Sequence, residues 1–397
     1  MGAEISGTNA WLNAHPEKKA AIIGDLNFDM EGIRLAMSRS YWILQRTPDT
    51  FPSYINDIAQ GMMEWVSDVA RERVRYRANG YAPSLEVVAP TGSKDAFYIK
   101  IDRHYGSSDH VTYMQHGIPS VMFITWPDMW YHSSQDTVDK HDPTQYKRAA
   151  VVGIGAMTVL ATGTDRVAGR VTSENLGRGA ERLGDSMRKA SSYLAEASDA
   201  TALLAGYKDA RVTVRHQAEV EKAVLQSSAV LYDDPAGAAK RLAGLEAAID
   251  KTLASRYDEL RALYAVHAAR VQAPALPEGW PSMTPAERDA SLLLVECVNG
   301  ATRSGCAAAP GGRGGRGAGA GAGGGRGAAP AGPSIPQHMN AELSILLGKG
   351  KTVLEIRDFL SGEFEPVPLE DVLGVLKTRE TAGTVKLVTA PAPVRKQ

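Results

Sequence analysis

The chain has 397 residues, more than one ordinary domain needs, and this length predicts two or three domains. Its 44 Lys and Arg residues against 45 Asp and Glu residues give a formal net charge of -1. A basic field over the whole protein is therefore excluded, and with it general electrostatic binding to nucleic acid or to an anionic membrane. Hydrophobic residues at 44% and charged residues at 22% are typical of a globular protein rather than a disordered one.

Cysteine usage and hydropathy limit the class of protein further. Two cysteines, Cys297 and Cys306, are too few for a disulfide framework, and we interpret them as ordinary thiols rather than as one small disulfide. The uncharged stretch 149–164 has 16 residues where a membrane-spanning helix needs roughly 20, so it predicts a buried helix. The first residues lack the basic leader, apolar core and cleavage site of an export signal.

Residues 1 to about 163 alternate short β-type runs with helical patterns, which is typical of an α/β domain. Four runs predict strands: AAIIGDLNF, SYWILQ, LEVVA and VMFIT. The last two are continuously apolar, as expected for strands that are covered on both faces. Between the second and third runs, apolar residues at helical spacing predict a helix that begins near Pro52: Ile55, Ile58, Met62, Trp65, Val66 and Val69.

The remaining chain has three different patterns. Residues 165–275 are helical only, with an apolar stripe that predicts an antiparallel bundle or hairpin: Leu242, Leu245, Ile249, Leu253, Tyr257, Leu260 and Tyr264. Thr284 is predicted to cap a further helix that begins at Pro285. The segment Ala307–Pro333 contains 12 Gly and 9 Ala among 27 residues and is interpreted as a flexible linker, since its GGRGGRG repeat lacks the aromatic residues of an RNA-binding tract.

The C-terminal segment predicts about three short helices followed by the strand-like run TVKLV, an order that resembles a small winged-helix module. Between His338 and Val388 it carries 8 acidic and 6 basic residues, so protein interaction or packing is favoured over DNA binding. We therefore predict four regions: an α/β domain at 1–163, a helical region at 164–300, a Gly/Ala-rich linker at 301–336 and a small module at 337–391.

Polar residues of the first region follow two predicted strands. Asp29 ends the run AAIIGDLNF, and His132 lies just past VMFITW. In an open α/β sheet, this carboxyl edge is where ligands bind. A carboxylate and an imidazole there, with Glu4 on a nearby turn, predict a Zn²⁺ site with oxygen and nitrogen ligands. Tyr131, beside the predicted ligand His132, is positioned to donate a hydrogen bond to an oxyanion.

The segments AEISGT, NFDMEG, SSDHVTYMQHGIPS and YHSSQDT resemble, in order, motifs of the co-catalytic zinc aminopeptidases of peptidase family 28. The resemblance covers residues 1 to about 163. It implies part of a three-layer α/β/α zinc-exopeptidase domain with two zinc ions per site. The implied activity is that of a hydrolase, a metallo-exopeptidase in which zinc-activated water cleaves a peptide or amino-acid amide. Relatives are often secreted or periplasmic, which leaves the location of this chain unassigned.

The resemblance also implies roles for single residues. Asp29 becomes a ligand of one zinc ion and His132 a ligand of the other. Tyr131 becomes the oxyanion donor, and Glu4 becomes either the general base or a zinc ligand, because Ala3 stands where the family commonly has a second glutamate. Three further residues are implied to support the site: Asp109 and His110, which shape it, and Asp136, which orients the His132 loop.

One departure from the family pattern bears on activity. The family's first histidine ligand and its bridging aspartate lie upstream of the acidic motif, and this sequence has only three residues before Glu4. We therefore expect an N-terminally truncated catalytic domain, inactive as written if those ligands are missing. The alternative interpretation is a non-catalytic fragment or a protein-interaction module. Neither nucleic acid nor a membrane is predicted as a partner.

Overall fold

The computed structural model describes residues 4–78, 87–106, 108–277, 279–303, 305–306 and 333–389. The chain divides into two compact units: Met1–Asn175 with Ser227–Ala238, and Leu176–Gln226 with Ala239–Gln397. The region boundaries predicted from sequence composition, at residues 163, 300 and 336, are not tested by this division, and those at 163 and 336 stay predictions. Within the described ranges, no helix combines the length and apolar character that crossing a membrane requires.

The first unit contains a four-stranded mixed sheet. Its strands are β1 (Asp25–Asp29), β2 (Tyr41–Gln45), β3 (Ile99–Asp102) and β4 (Ser120–Trp126), in the spatial order β1-β4-β2-β3. Strand β1 is parallel to β4, and β2 is parallel to β3, while β2 and β4 are antiparallel. Strand β4 is central and buried along nearly its whole length, which explains its continuously apolar sequence.

Three of the four predicted strands are confirmed, AAIIGDLNF only from Asp25 onward because Ala20 and Ala21 are helical, and the prediction for LEVVA was wrong. Residues 87–89 of that run are not in a strand, and residues 85–86 lie outside the described ranges. The physical reason is local: Val87 is buried in the core, but the Ala89 amide donates to the Thr144 hydroxyl instead of to a strand neighbour. The strand beside β2 is Ile99–Asp102, whose partly exposed pattern gives a weaker sequence signal.

The helices of the first unit are α1 (Ser6–Ala14), α2 (Pro16–Ala21), α3 (Leu35–Ser38), α4 (Ile55–Ala78), α5 (His110–Gln115), α6 (Pro143–Ala161) and the start of α7 (Asp165–Ala195). The helix predicted from Ile55 onward is confirmed as α4, and the stretch 149–164 lies mostly in α6. Asp142 caps α6 by accepting a hydrogen bond from the Thr144 amide. Helices α4 and α6 supply Met63 and Val152 to a core centred on Trp42 and Phe123, all four 0% exposed.

The second unit is helical in its first half, as predicted. It contains α7 beyond residue 175, α8 (Ala200–Ser227) and α9 (Pro235–Val271). The apolar stripe predicted on α9 is confirmed, because Leu242, Ile249, Leu260 and Tyr264 are each at most 5% exposed. Tyr264 packs edge-to-face against Tyr207 of α8, with ring centroids 5.7 Å apart.

The second half of this unit combines short helices with two strand pairs, one of which begins at Leu293, inside the region 164–300 that was predicted to be helical. Its elements are α10 (Pro285–Ser291), β5 (Leu293–Cys297), β6 (Ala301–Thr302), β7 (Gly305–Cys306), α11 (Asn340–Leu347), α12 (Val353–Glu363), α13 (Leu369–Thr381) and β8 (Val385–Thr389). The predicted cap Thr284, the three C-terminal helices and the final strand are confirmed. Strand β8 pairs antiparallel with β5. A winged-helix module is not established by these elements and stays a prediction.

The interpretation of the cysteines as ordinary thiols was wrong. Cys297 at the end of β5 and Cys306 in β7 form a disulfide, with their Cα atoms 5.1 Å apart. The chain folds back over nine residues through the short β6-β7 pair, and this turn brings the two cysteines within bonding range. The linker predicted at 301–336 begins too early, because Ala301–Thr302 and Gly305–Cys306 form β6 and β7; its residues 307–332 lie outside the described ranges.

Candidate functional site at the carboxyl edge of the sheet

The carboxyl ends of β1 and β4 form the edge at which the predicted ligands lie. Because these strands are parallel and Asp29 is opposite Ile124, both strands end at the same side of the sheet. The Tyr131 ring packs edge-to-face on Trp126, the last residue of β4, with centroids 5.4 Å apart. Asp29, Tyr131 and His132 are therefore placed at one edge, where the sequence pattern predicted them.

Asp29 lies in a tight bend. The residue after it, Met30, has a φ of 56°, in the left-handed region that few side chains adopt without a local reason. The reason is the Glu31 carboxyl group, which turns back to accept the Asp29 amide hydrogen at 3.1 Å. The Asp29 carboxylate itself has no hydrogen-bond partner within the described part of the chain, so its oxygen atoms are available as ligands.

Glu31 is the half-buried acid that supports this bend, and the sequence reasoning missed it. Its second carboxyl oxygen accepts a hydrogen bond from the indole nitrogen of Trp42. Burial raises the pKa of Glu31 to about 8, against the opposing effect of the Trp42 hydrogen bond. In the sequence, Glu31 is marked only by its position two residues after the predicted ligand Asp29. That position does not reveal the hydrogen bond with the Trp42 indole of β2.

His132 also has left-handed backbone geometry, with a φ of 53°. Its imidazole stacks on the Tyr131 ring at a centroid distance of 3.7 Å and an interplanar angle of 22°. Neither ring nitrogen of His132 has a hydrogen-bond partner among the described residues, and the Tyr131 hydroxyl has none there either. Stacking therefore fixes the orientation of the ring while leaving the nitrogen atoms free to bind a metal ion.

Asp136, His141 and Tyr146 form a hydrogen-bonded chain beside this edge. The Asp136 carboxylate lies 3.3 Å from His141 Nε2, and His141 Nδ1 lies 2.5 Å from the Tyr146 hydroxyl. The chain packs on Gly32, where an added Cβ would lie 2.1 Å from the Tyr146 oxygen. It thus connects the loop after β4 with the loop after β1. The sequence predicted an orienting role for Asp136, but did not identify His141 as its partner.

Glu4 begins the segment that leads into α1, and its side chain is exposed. The next amide, of Ile5, donates to the Asp109 carboxylate at 2.5 Å, so Asp109 fixes the backbone beside Glu4. His110 is 0% exposed and bonds to the Tyr105 carbonyl oxygen at 3.0 Å. Burial lowers the pKa of His110 to about 4, so this imidazole is neutral at ordinary pH.

The structure brings the predicted residues to one region without assembling a finished metal site. If one ligand atom is taken from each of Glu4, Asp29 and His132, the three atoms do not all lie within 4.8 Å of one another. An unpartnered carboxylate and an unpartnered imidazole at a strand edge have the donor chemistry of a zinc site. These described residues therefore fit two ligand positions of such a site, and the roles of Glu4 and Tyr131 stay predictions.

Comparison with known proteins identifies the region that carries this edge. The family model described as Peptidase family M28 matches residues 4–156, about two fifths of the chain. Searches of the curated proteins and of the solved structures found no match. The matched region begins at Glu4 and ends within α6, so it contains the whole sheet and every predicted site residue.

Proposed function

Since residues 4–156 belong to peptidase family M28, we propose that the first unit carries the zinc-binding edge of a metallo-exopeptidase of the aminopeptidase type. The reaction is hydrolysis of a peptide or amino-acid amide bond by water. Membership of a metallopeptidase family supports peptide hydrolysis in general. The zinc ion, the exopeptidase specificity and the roles below are our proposal.

Each proposed role follows from the chemistry of a side chain. Asp29 and His132 hold zinc through the free carboxylate and the free imidazole at the strand edge. Zinc bound there lowers the pKa of a bound water and polarises a carbonyl group. Glu4 either accepts a proton from the attacking water or adds a ligand, and Tyr131 donates a hydrogen bond to the carbonyl oxygen.

The observation that carries the proposal is the placement of Asp29 and His132 at one sheet edge with their ligand atoms unpartnered in the described residues. Because Glu4 is not grouped with them, we expect weak, substoichiometric zinc binding by this chain. The test is a zinc titration of the purified chain, together with an assay for hydrolysis of amino-acid amides.

We expect Asp29→Asn and His132→Gln each to weaken zinc binding about tenfold or more, since each removes a ligand. His338→Gln is the matched control, because His338 is an exposed histidine in the second unit. Any hydrolysis should disappear in Glu4→Gln if Glu4 is the base. Zinc binding that all variants retain would refute these ligands. A chain that neither binds zinc nor hydrolyses amides would instead be the non-catalytic fragment or interaction module.

We also propose that residues 337–391, which resemble a small winged-helix module, serve protein interaction rather than DNA binding. The excess of acidic over basic residues between His338 and Val388 supports this assignment.

A further inference from the structure

A cavity of about 530 Å³ lies within the second unit, lined by residues of α8, α10, β5, α12, α13 and the turn before α13. This volume is within the range of roughly 300–1,000 Å³ that is typical of small-molecule sites. Part of the lining is apolar and consists of Ala290, Leu293, Val367, Leu369 and Leu373. A ligand that fills the cavity therefore needs an aliphatic or aromatic part.

A buried arginine, Arg357, is also part of the lining. Arg357 is 6% exposed, and its Nη2 atom donates to Glu287 Oε1 at 2.7 Å. Its Nη1 atom is 3.9 Å from Asp209 Oδ1, too far for a hydrogen bond. Its Nε atom, 3.1 Å from an oxygen of Asp358, has no partner with hydrogen-bond geometry among the described residues. Nε is itself buried, whereas Nη1 has no hydrogen bond among the described residues and favours a ligand that brings an acceptor oxygen.

Asp209, on α8, is a lining acid that lacks the hydrogen bonds of its neighbour Glu287. Glu287 bonds to Lys208, Arg357 and the Thr284 amide, whereas the Asp209 carboxylate has no hydrogen bond within the described ranges. Burial raises the pKa of Asp209 to about 6, although the positive charge of Arg357 opposes this rise. A cationic donor at Asp209 would supply the missing hydrogen bond and offset the cost of burying the charge.

The overall charge of the lining favours a cation in the same way. Of the described lining residues, four are acids and one is a base: Asp209, Glu287, Asp289, Glu370 and Arg357. Lys208 adds one further positive charge through its ion pair with Glu287. The lining therefore keeps a negative excess, which attracts a ligand with a positive charge.

We propose that this cavity binds the amino end of a short peptide or amino-acid amide whose first side chain is apolar. The α-ammonium group bonds to Asp209, the first carbonyl oxygen accepts from Arg357, and the side chain packs on the apolar lining residues Leu293 and Leu373. The site is separate from the sheet edge of the first unit, and the inference does not depend on zinc binding or hydrolysis there.

The test is isothermal titration of the full chain with leucinamide, with EDTA present so that metal-dependent hydrolysis cannot contribute. Two further probes separate the contacts: N-acetyl-leucinamide lacks the positive charge, and 3-methylbutylamine lacks the carbonyl oxygen. We expect each to bind about tenfold or more weakly than leucinamide, since each loses a charge-assisted hydrogen bond. Equal affinity for all three, or no binding at millimolar concentration, would overturn the proposal.

Variants assign the site to this cavity. Asp209→Asn should weaken leucinamide binding about tenfold or more, while Glu219→Gln, an exposed acid on the same helix, should leave it unchanged. Ala286→Trp provides a second variant, because Ala286 lines the cavity and is exposed, so a large ring there obstructs entry without entering the core. Circular dichroism checks that each variant is folded. Unchanged affinity in a folded Asp209→Asn or Ala286→Trp chain would refute this location.

Discussion

Asp25 is an acid whose ionisation we expect to limit the stability of the first unit. It opens β1 and accepts a hydrogen bond from the Ser120 hydroxyl. Burial raises its pKa from 3.8 to about 6, with a smaller rise from the negative charge of Asp109 and an opposing effect of Ser120. The folded protein therefore holds this proton more tightly than the unfolded chain does. The resulting stability is fully present below about pH 4 and is lost as the pH rises through about 6.

The free-energy equivalent of a pKa rise from 3.8 to about 6 is about 3 kcal/mol, at about 1.4 kcal/mol per pH unit. Asp25→Asn removes the titrating group but keeps an acceptor for Ser120. We expect the variant to be up to about 3 kcal/mol more stable than the wild type at about pH 8, and to match it at about pH 4. The difference in stability should develop mainly between pH 3.8 and about pH 6, the pKa values of Asp25 in the unfolded and folded chain.

Urea unfolding at several pH values, followed by tryptophan fluorescence, measures this difference. Five of the six tryptophans are in the first unit, and one of them, Trp42, is 0% exposed, so the signal reports on this unit. Asp68→Asn is the matched control, since the Asp68 side chain is 68% exposed and its ionisation should not couple to folding. Equal pH dependence in the wild type and Asp25→Asn, or a less stable variant at about pH 8, would refute the reasoning.

Three further predictions test packing and capping. Leu260→Ala in α9 removes a side chain that is 0% exposed and should cost about 2–5 kcal/mol in urea unfolding, whereas Val266→Ala, at a position 66% exposed, should cost less than about 0.5 kcal/mol. Thr352→Ala removes the cap whose hydroxyl accepts the Glu355 amide, and should destabilise the second unit by about 1 kcal/mol; no loss would contradict the capping role. Gly32→Ala places a Cβ 2.1 Å from the Tyr146 oxygen and should cost about 1–3 kcal/mol, part of which a second change, Tyr146→Ala, should restore by opening the space. A Gly32→Ala chain as stable as the wild type would show that the Tyr146 ring moves freely.

Sequence pattern predicted those elements whose signal is carried by their own residues. The α9 stripe, the Thr284 cap and the apolar run of β4 depend on local spacing, and the structure has each of them. LEVVA has the same apolar character as a strand. It does not form a strand, because of a residue far along the chain. The Thr144 hydroxyl accepts the Ala89 amide hydrogen, which a neighbouring strand would otherwise accept.

The same distinction applies to the candidate site. Strand ends are local features, so the placement of Asp29 and His132 at one edge could be predicted from the sequence. The contact of Glu31 with Trp42 joins the loop after β1 to β2, and the contact of Asp136 with His141 depends on how a loop closes. The pairing of Cys297 with Cys306 likewise depends on a turn that composition does not reveal. Such contacts between elements require the fold.

The β5-β8 pair has a consequence for how the second unit can be produced. Val295 of β5 and Ala290 of α10 share one core with Leu343, Ile356 and Leu376 of the three C-terminal helices. Residues on either side of the segment 307–332 are therefore parts of one folded structure. The packing of this core joins them in addition to the covalent chain. A chain cut between these residues should elute as a single noncovalent complex, and two separately expressed polypeptides should reconstitute it on mixing.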